Sequence, residues 1–248
     1  MKKVVVIGEQ CTDEFVYCSA NRLSPEAPVP VLTPIRTVKN DGMAGNTIKN
    51  IKAMDSECQV IAITPSKIPT KTRYIEDKTN HMFFRFDKGD NDVEALTWGP
   101  REDFYLQFIE SADVVIVSDY NKGYLSDDDL IKIAVCSKVS ILDSKRKLTN
   151  DITKHFTFVK LNEEEALNNS GLDKSNVITT LGAAGAMFKD VVYPSPQPQE
   201  TIDVSGAGDT FTAAFAVSYL DTRSTTLSIL FANDASAKVV SKRGVVTP

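Results

Sequence analysis

The chain has 248 residues, 42% hydrophobic and 25% charged, enough apolar material to pack one large domain. Its formal charge of -5 is spread along the chain without a basic stripe, which argues against a nucleic-acid binder. Cys11, Cys18, Cys58 and Cys136 contain no C-x-x-C pair and there are only two histidines, so neither a zinc site nor a disulfide framework is indicated. The apolar run after Met1-Lys2-Lys3 stops at Gly8, too short for a leader or a membrane span, so the expected setting is the cytoplasm, with no membrane partner.

Val4 to Ile7 is a continuous β-branched run closed by Gly8, which predicts a central strand buried on both faces. Loops that carry function collect at the carboxyl ends of such strands, and Glu9 and Asp13 fall there, before an exposed-type alternation over Glu14-Phe15-Val16-Tyr17. Between Asn21 and Val31, Pro25, Pro28 and Pro30 enforce an extended segment without ladder donors. Asp41-Gly42-Met43-Ala44-Gly45-Asn46 reads as a glycine-bearing loop ahead of a helix over Thr47 to Met54, with Asn46 able to donate and accept towards a ligand. Cys58 to Ile63 has the composition of another buried strand. Thr70 to Ile75 and His81 to Asp87 form a predicted hairpin about Asp77-Lys78-Thr79-Asn80. With segments near 11–18 and 29–38, these make a small sheet inserted into an α/β core.

Val114 to Val117 is a strand opening into Ser118-Asp119-Tyr120-Asn121-Lys122-Gly123, and Val139 to Leu142 repeats the design ahead of Asp143-Ser144-Lys145. Asp119, Lys122, Asp143 and Lys145 are therefore site candidates by position, although solvated loop charges fit the same pattern. Phe156 to Leu161, with Lys160 near its end, runs into a helix where Asn162 and Glu165 have capping-box spacing. Val177 to Gly185 reads as a strand and turn containing Thr180, Gly182 and Gly185, and Phe231 to Ala237 as a small-residue helix around Asn233. Pro194 to Pro198 is a local linker, not a domain boundary.

The octet Asp203-Val204-Ser205-Gly206-Ala207-Gly208-Asp209-Thr210 precedes an apolar helical run from Phe211. It places Gly206, Ala207 and Gly208 at a helix N-terminus, whose free N–H groups and dipole favour a phosphate oxygen. Asp209 in the first turn can take a proton from a hydroxyl attacking that phosphate, and a turn followed by a plain first-turn acid accounts for the same residues. No G-x-x-x-x-G-K-[ST] exists, and the third glycine of a dinucleotide fingerprint is missing.

This octet resembles the D-x-x-G-A-G-D signature of the ribokinase-like (PfkB) sugar kinases. Asn162 to Glu165 matches that family's N-x-x-E and Thr180 to Gly185 its T-x-G-x-x-G. Gly42 and Asn46 match its G-G-x-x-N, with Met43 in place of the second glycine. Ser24 to Pro30 (S-P-E-A-P-V-P), Ser118 to Gly123 (S-D-Y-x-K-G) and Asp143 to Lys145 (D-x-K) resemble its heptose 7-phosphate kinase branch, although Ser144 stands where proline is usual.

The resemblance implies a three-layer α/β sandwich with a mainly parallel central sheet and a small β lid. One domain spans 1–248, with lid segments at about 11–38 and 70–87. ATP and Mg²⁺ are the implied cofactors. Asp209 is the implied base and Gly206, Ala207 and Gly208 the anion hole. Asp13, Gly42, Asn46, Arg73, Arg85, Lys122 and Lys145 fall to the sugar phosphate, Lys160, Thr180, Gly182, Gly185 and Asn233 to the nucleotide, and Asn162 and Glu165 to magnesium. The implied reaction is ATP-dependent phosphorylation of the anomeric hydroxyl of a heptose 7-phosphate to a 1,7-bisphosphate, with pairing of two subunits through the lid as an option. A kinase for another sugar is the alternative. A non-catalytic binder is suggested by Met43 and by a short stretch between Ile63 and Thr70, but such a binder would need neither Asp209 nor Glu165. The nucleotidyltransferase fused in bifunctional heptose enzymes is not expected, because H-x-G-H is absent.

Overall fold

A computed structural model of the chain describes residues 2–196, 206–241 and 247–248. Two sheets account for its strands. The larger has eight, β1 (Lys3–Gly8), β4 (Gln59–Ile63), β7 (Val114–Asp119), β8 (Ser140–Ser144), β9 (Phe158–Asn162), β10 (Val177–Thr180), β11 (Ala186–Phe188) and β12 (Val191–Tyr193). Their spatial order is β12-β11-β10-β9-β8-β7-β1-β4, with the pairings from β4 to β10 parallel and the β11 and β12 pairings antiparallel.

Parallel strands need crossovers, and helices supply them on both faces. On one face α1 (Ala44–Met54), α6 (Ala207–Thr222) and α7 (Thr225–Val240) pack on Val4, Val6, Val114 and Ile116. On the other, α2 (Glu102–Ser111), α3 (Asp127–Cys136) and α4 (Asn150–Thr153) pack on Val5, Ile7, Val115 and Val117. The strict alternation of β1 between the two cores is why its residues are apolar without a break. The strand expected over Cys58 to Ile63 exists as β4, but it is not buried on both faces. It pairs with β1 alone at the sheet's end, and within it only Ile63 is fully covered.

The second sheet, β3-β2-β5-β6, is the expected lid. Its strands are β2 (Gln10–Ser19), β3 (Thr33–Met43), β5 (Thr70–Glu76) and β6 (Met82–Lys88). Residues 29–32, expected in a strand, make only the isolated bridge Leu23↔Pro30, in line with the donors removed by proline. At its other end β3 is longer than expected. The supposed loop Asp41-Gly42-Met43 continues the ladder to Gln10↔Met43, and α1 follows at once from Ala44. Gly42 is forced there, since a Cβ would lie 2.2 Å from Asp13 Oδ2.

Candidate active site

The site lies where the carboxyl ends of β7 to β10 meet the N-terminus of α6, in a cleft of about 540 Å³ lined by Tyr120, Asp143, Lys145, Lys160, Asn162, Thr180, Gly182, Gly206, Gly208 and Asp209 among others. Gly206 caps α6 in the left-handed region at φ 80°, a conformation that glycine adopts without the Cβ penalty. That turn aims the first-turn amides of α6 at the cleft. Of the octet, Asp203, Val204 and Ser205 lie outside the described residues.

Asp209 is buried and both its oxygens are occupied. The Tyr120 hydroxyl donates to Oδ1 at 2.7 Å and Asn46 Nδ2 donates to Oδ2 at 3.0 Å. Burial pushes its carboxyl up to about 6, with Asp143 adding to the rise, while the Tyr120 and Asn46 hydrogen bonds and the Lys160 charge pull it back. A carboxyl with this value is ionised at neutral pH yet basic enough to take a proton. The phenol of Tyr120 is pushed well above its ordinary range, first by burial and then by Asp209, so it stays protonated and keeps its O–H for Asp209.

Behind the helix start sits Lys160. A Cβ on Gly208 would come within 2.9 Å of its Nζ, so the glycine lets the ammonium approach the α6 backbone. Both Asp143 oxygens lie 3.2 Å from Nζ, and Thr212 Oγ1 is 2.8 Å from Asp143 Oδ2. Burial opposes the charge on Lys160, but the carboxylates of Asp143 and Glu165 outweigh it and raise its pKa. The cleft floor thus carries an ammonium, paired with Asp143, beside the amides at the start of α6, which together can meet an anionic oxygen.

The remaining expected residues divide into two groups. Thr180 and Gly182 line the cleft with Lys145, whose Nζ contacts Glu165 Oε1 at 2.9 Å and lies 5.1 Å from the Tyr120 ring centre. Asn162 and Glu165 form a complete capping box at the start of α5 (Glu163–Asn168), Glu165 N donating to Asn162 Oδ1 at 2.8 Å and Asn162 N to Glu165 Oε2 at 2.7 Å. Asn46 holds Asp209 with one end of its amide and accepts from Asn50 Nδ2 with the other at 3.0 Å. Lys122 is paired with Asp90 and is not among the cleft-lining residues. Asn233 Nδ2 donates to Tyr193 O at 2.9 Å, and Gly185 packs so tightly that a Cβ would meet Tyr193 O at 2.2 Å. These two therefore brace the end of β12.

On the lid, Asp13 and Arg73 form a partly buried ion pair, while Arg85 pairs with Asp87 at 2.8 Å at the surface. Register puts Arg73 opposite Arg85 and Asp13 opposite Lys71, so Asp13, Lys71, Arg73 and Arg85 share one face. Lys71 Nζ lies 5.7 Å from the Tyr120 ring centre, which shows that this face looks towards the cleft. Sequence reasoning missed Lys71, although its period-two spacing from Arg73 was the available signal. It also passed over Tyr120, because charges alone were weighed in Ser118 to Gly123. Met43 keeps a conformation that suits glycine, φ 57° and ψ -131°, so the backbone here follows the glycine-glycine pattern despite the side chain.

A mainly parallel sheet with a smaller second sheet, and a buried carboxylate beside a helix N-terminus at the strand ends, are the architecture of the ribokinase fold. The chain belongs to the pfkB family of carbohydrate kinases, whose pattern matches residues 48–248. It is 32% identical over 298 residues to the bifunctional protein HldE of Helicobacter pylori (strain HPAG1), covering 98% of this chain and 64% of that protein. It therefore spans less than two thirds of the length of the curated relatives it matches. Because the match runs over 298 residues and this chain has 248, the relative carries segments that the chain lacks. Among solved structures, the ribokinase of Arabidopsis thaliana complexed with ribose and ATP shares the fold at TM-score 0.71 and 16% identity, covering 98% of this chain and 94% of that one. The ribokinase of Thermotoga maritima does so at TM-score 0.73 and 15% identity, covering 99% and 95%. No described helix is long and apolar enough to cross a membrane.

Proposed function

We propose that this chain transfers the γ-phosphoryl group of ATP to the anomeric hydroxyl of a heptose 7-phosphate, giving a 1,7-bisphosphate. The observation that carries the reading is Asp209 itself, a buried carboxylate beside the Lys160-backed start of α6 and bonded to Tyr120, whose ring Lys71 of the lid approaches. The sugar oxygen forms the new bond to phosphorus, its proton passes to Asp209, and the bond from phosphorus to the β,γ-bridging oxygen breaks to release ADP. The amides of Gly206 to Gly208 face the charge on the transferring group, Thr180 and Gly182 line the same cleft for the nucleotide, and Lys145 lines it for the sugar phosphate. Lys122 would contact a phosphate only after leaving Asp90.

Magnesium belongs to the same proposal, in a limited form. Among the described residues no group of three or more His, Cys, Asp or Glu could hold a metal ion. Glu165 has one oxygen on Lys145 and the other on the Asn162 amide, so these residues suit the water shell of an ion that arrives with the nucleotide. When bound, the ion neutralises charge on the β- and γ-phosphates.

Support for a phosphorylated sugar comes from Lys71, Arg73 and Arg85 on one lid face, together with the segments that resemble heptose kinases. A phosphate meeting two of these cations gains charge-assisted hydrogen bonds of about 1.5 to 3 kcal/mol each. Steady-state kinetics on heptose 7-phosphate and on free heptose test this, and we expect roughly a hundredfold or greater preference in kcat/KM, shrinking as salt rises. Equal values would defeat the heptose-phosphate assignment and point to another sugar. The lid's opposite face exposes Phe84 and Phe86, which supports pairing of two copies there; a monomeric mass by sedimentation would remove that part of the proposal.

A further inference from the structure

Glu9 was singled out only by its place after β1, and the structure gives it an unusual amount to hold. It is fully buried, and its carboxylate accepts three backbone N–H groups from the loop after β7: Tyr120 at 2.8 Å, Lys122 at 2.9 Å and Tyr124 at 3.3 Å. Its own carbonyl accepts from Ala44 N at 3.0 Å, where α1 begins, and its N–H donates to Ser118 O at 3.2 Å. One residue, through its side chain and its backbone, therefore ties β1, the loop after β7 and the start of α1 together. Those last two segments deliver the two donors to Asp209, Tyr120 from the loop and Asn46 from the first turn of α1. Asn121 in the same loop holds a left-handed φ of 56°, a turn that asparagine adopts readily.

We propose that Tyr120 is a positioning residue that fixes the Asp209 carboxylate for proton transfer, and that Glu9 positions Tyr120. The proposal rests on the reading of Asp209 as the base. Its physics is that a phenol locked as a donor stabilises the ionised carboxylate and confines its rotation. The other groups facing Asp209 are accounted for. Asp143 on β8 raises its pKa, Lys160 on β9 lowers it, and the Cys11 thiol on β2 is pushed up to about 12, so it stays neutral. Lys71 and Lys145 lie 5.7 and 5.1 Å from the centre of the Tyr120 ring, whose hydroxyl meets Asp209.

The test uses the full chain labelled with carboxyl-¹³C aspartate, Asp209→Asn identifying the resonance. Tyr120→Phe is expected to move the titration midpoint of Asp209 upward by about one pH unit, since a hydrogen bond to a charged group is worth roughly a factor of ten. The acidic limb of kcat/KM should move with it, so the variant loses more activity at pH 6 than at pH 8.5. Glu9→Gln, which keeps the shape but turns one acceptor oxygen into a donor, should shift the midpoint in the same direction by less, and it carries the test if the Phe variant does not fold. An unchanged Asp209 midpoint in a folded Tyr120→Phe or Glu9→Gln protein overturns the proposal. A shifted midpoint in a protein that phosphorylates no sugar supports it and counts instead against the proposed reaction.

Discussion

The two sheets spend their charged residues in opposite ways. Around the strand ends of the eight-stranded sheet several charges are buried and held: Asp209 of α6 by Tyr120 and Asn46, Lys160 by Asp143, and Asp119 by Arg146 through contacts of 2.6 and 2.9 Å. In the lid, Arg85 and Asp87, Arg36 and Asp77, and Lys39 and Glu14 meet in solvent-exposed pairs. Low dielectric magnifies what a buried charge does, whereas water and salt damp the exposed ones. If the proposed reaction is right, the buried site would set its rate, and the lid would recognise the ligand at modest cost when one contact is lost.

The largest expected effect tests the buried side. Asp209→Asn keeps size but removes the proton acceptor, and general-base loss should lower kcat by roughly 10²-fold to 10⁴-fold while ATP affinity changes little. Single-turnover kinetics with nucleotide binding measured separately decide this, and wild-type-like turnover would remove Asp209 as the base.

The same residue should make stability depend on pH. Its folded pKa of about 6 lies above the ordinary value of 3.8, so its contribution is fully present below pH 3.8 and is lost as pH rises through about 6. Asp209→Asn lacks this loss. Urea titrations of both proteins should show the variant gaining on wild type between pH 4 and 7, by up to about 3 kcal/mol. A constant difference across that range would mean that Asp209 is not held in the desolvated setting described above.

The comparison also explains what the sequence discloses. Periodicity located both sheets, since a β-branched run such as Val4 to Ile7 suits burial on two faces and the turn at Asp77 to Asn80 suits a hairpin. The Asn162 and Glu165 cap was legible because it is local, three residues apart. Partners far apart in the chain were not. Nothing near Asn46 announces that its amide is taken up by Asp209, and nothing near Lys122 announces Asp90. The edge position of β4 was hidden for the same reason, because composition reports apolar content but not how many neighbours a strand has. Site residues could be named from the chain, whereas which of them are free to meet a ligand depended on contacts that only the fold creates.

The smallest effects separate two arginines that face each other across β5 and β6. Arg73 is mostly buried and paired with Asp13, so Arg73→Ala strands a buried carboxylate and should cost roughly 1 to 3 kcal/mol of stability as well as affinity for a phosphorylated sugar. Arg85 has a side chain 50% exposed and its partner Asp87 lies two residues away on the same strand. Exposed pairs of this kind contribute about 0 to 1 kcal/mol, so Arg85→Ala should leave unfolding by urea nearly unchanged. Its effect on kcat/KM for the phosphorylated sugar should be below about tenfold and should vanish at high salt, where an exposed charge is screened. The Arg73 effect should persist there, because a partly buried charge is screened far less. Equal salt sensitivity of the two variants would show that the lid closes over both arginines when the sugar binds, and the contrast between a buried and an exposed lid charge would then hold only for the empty enzyme.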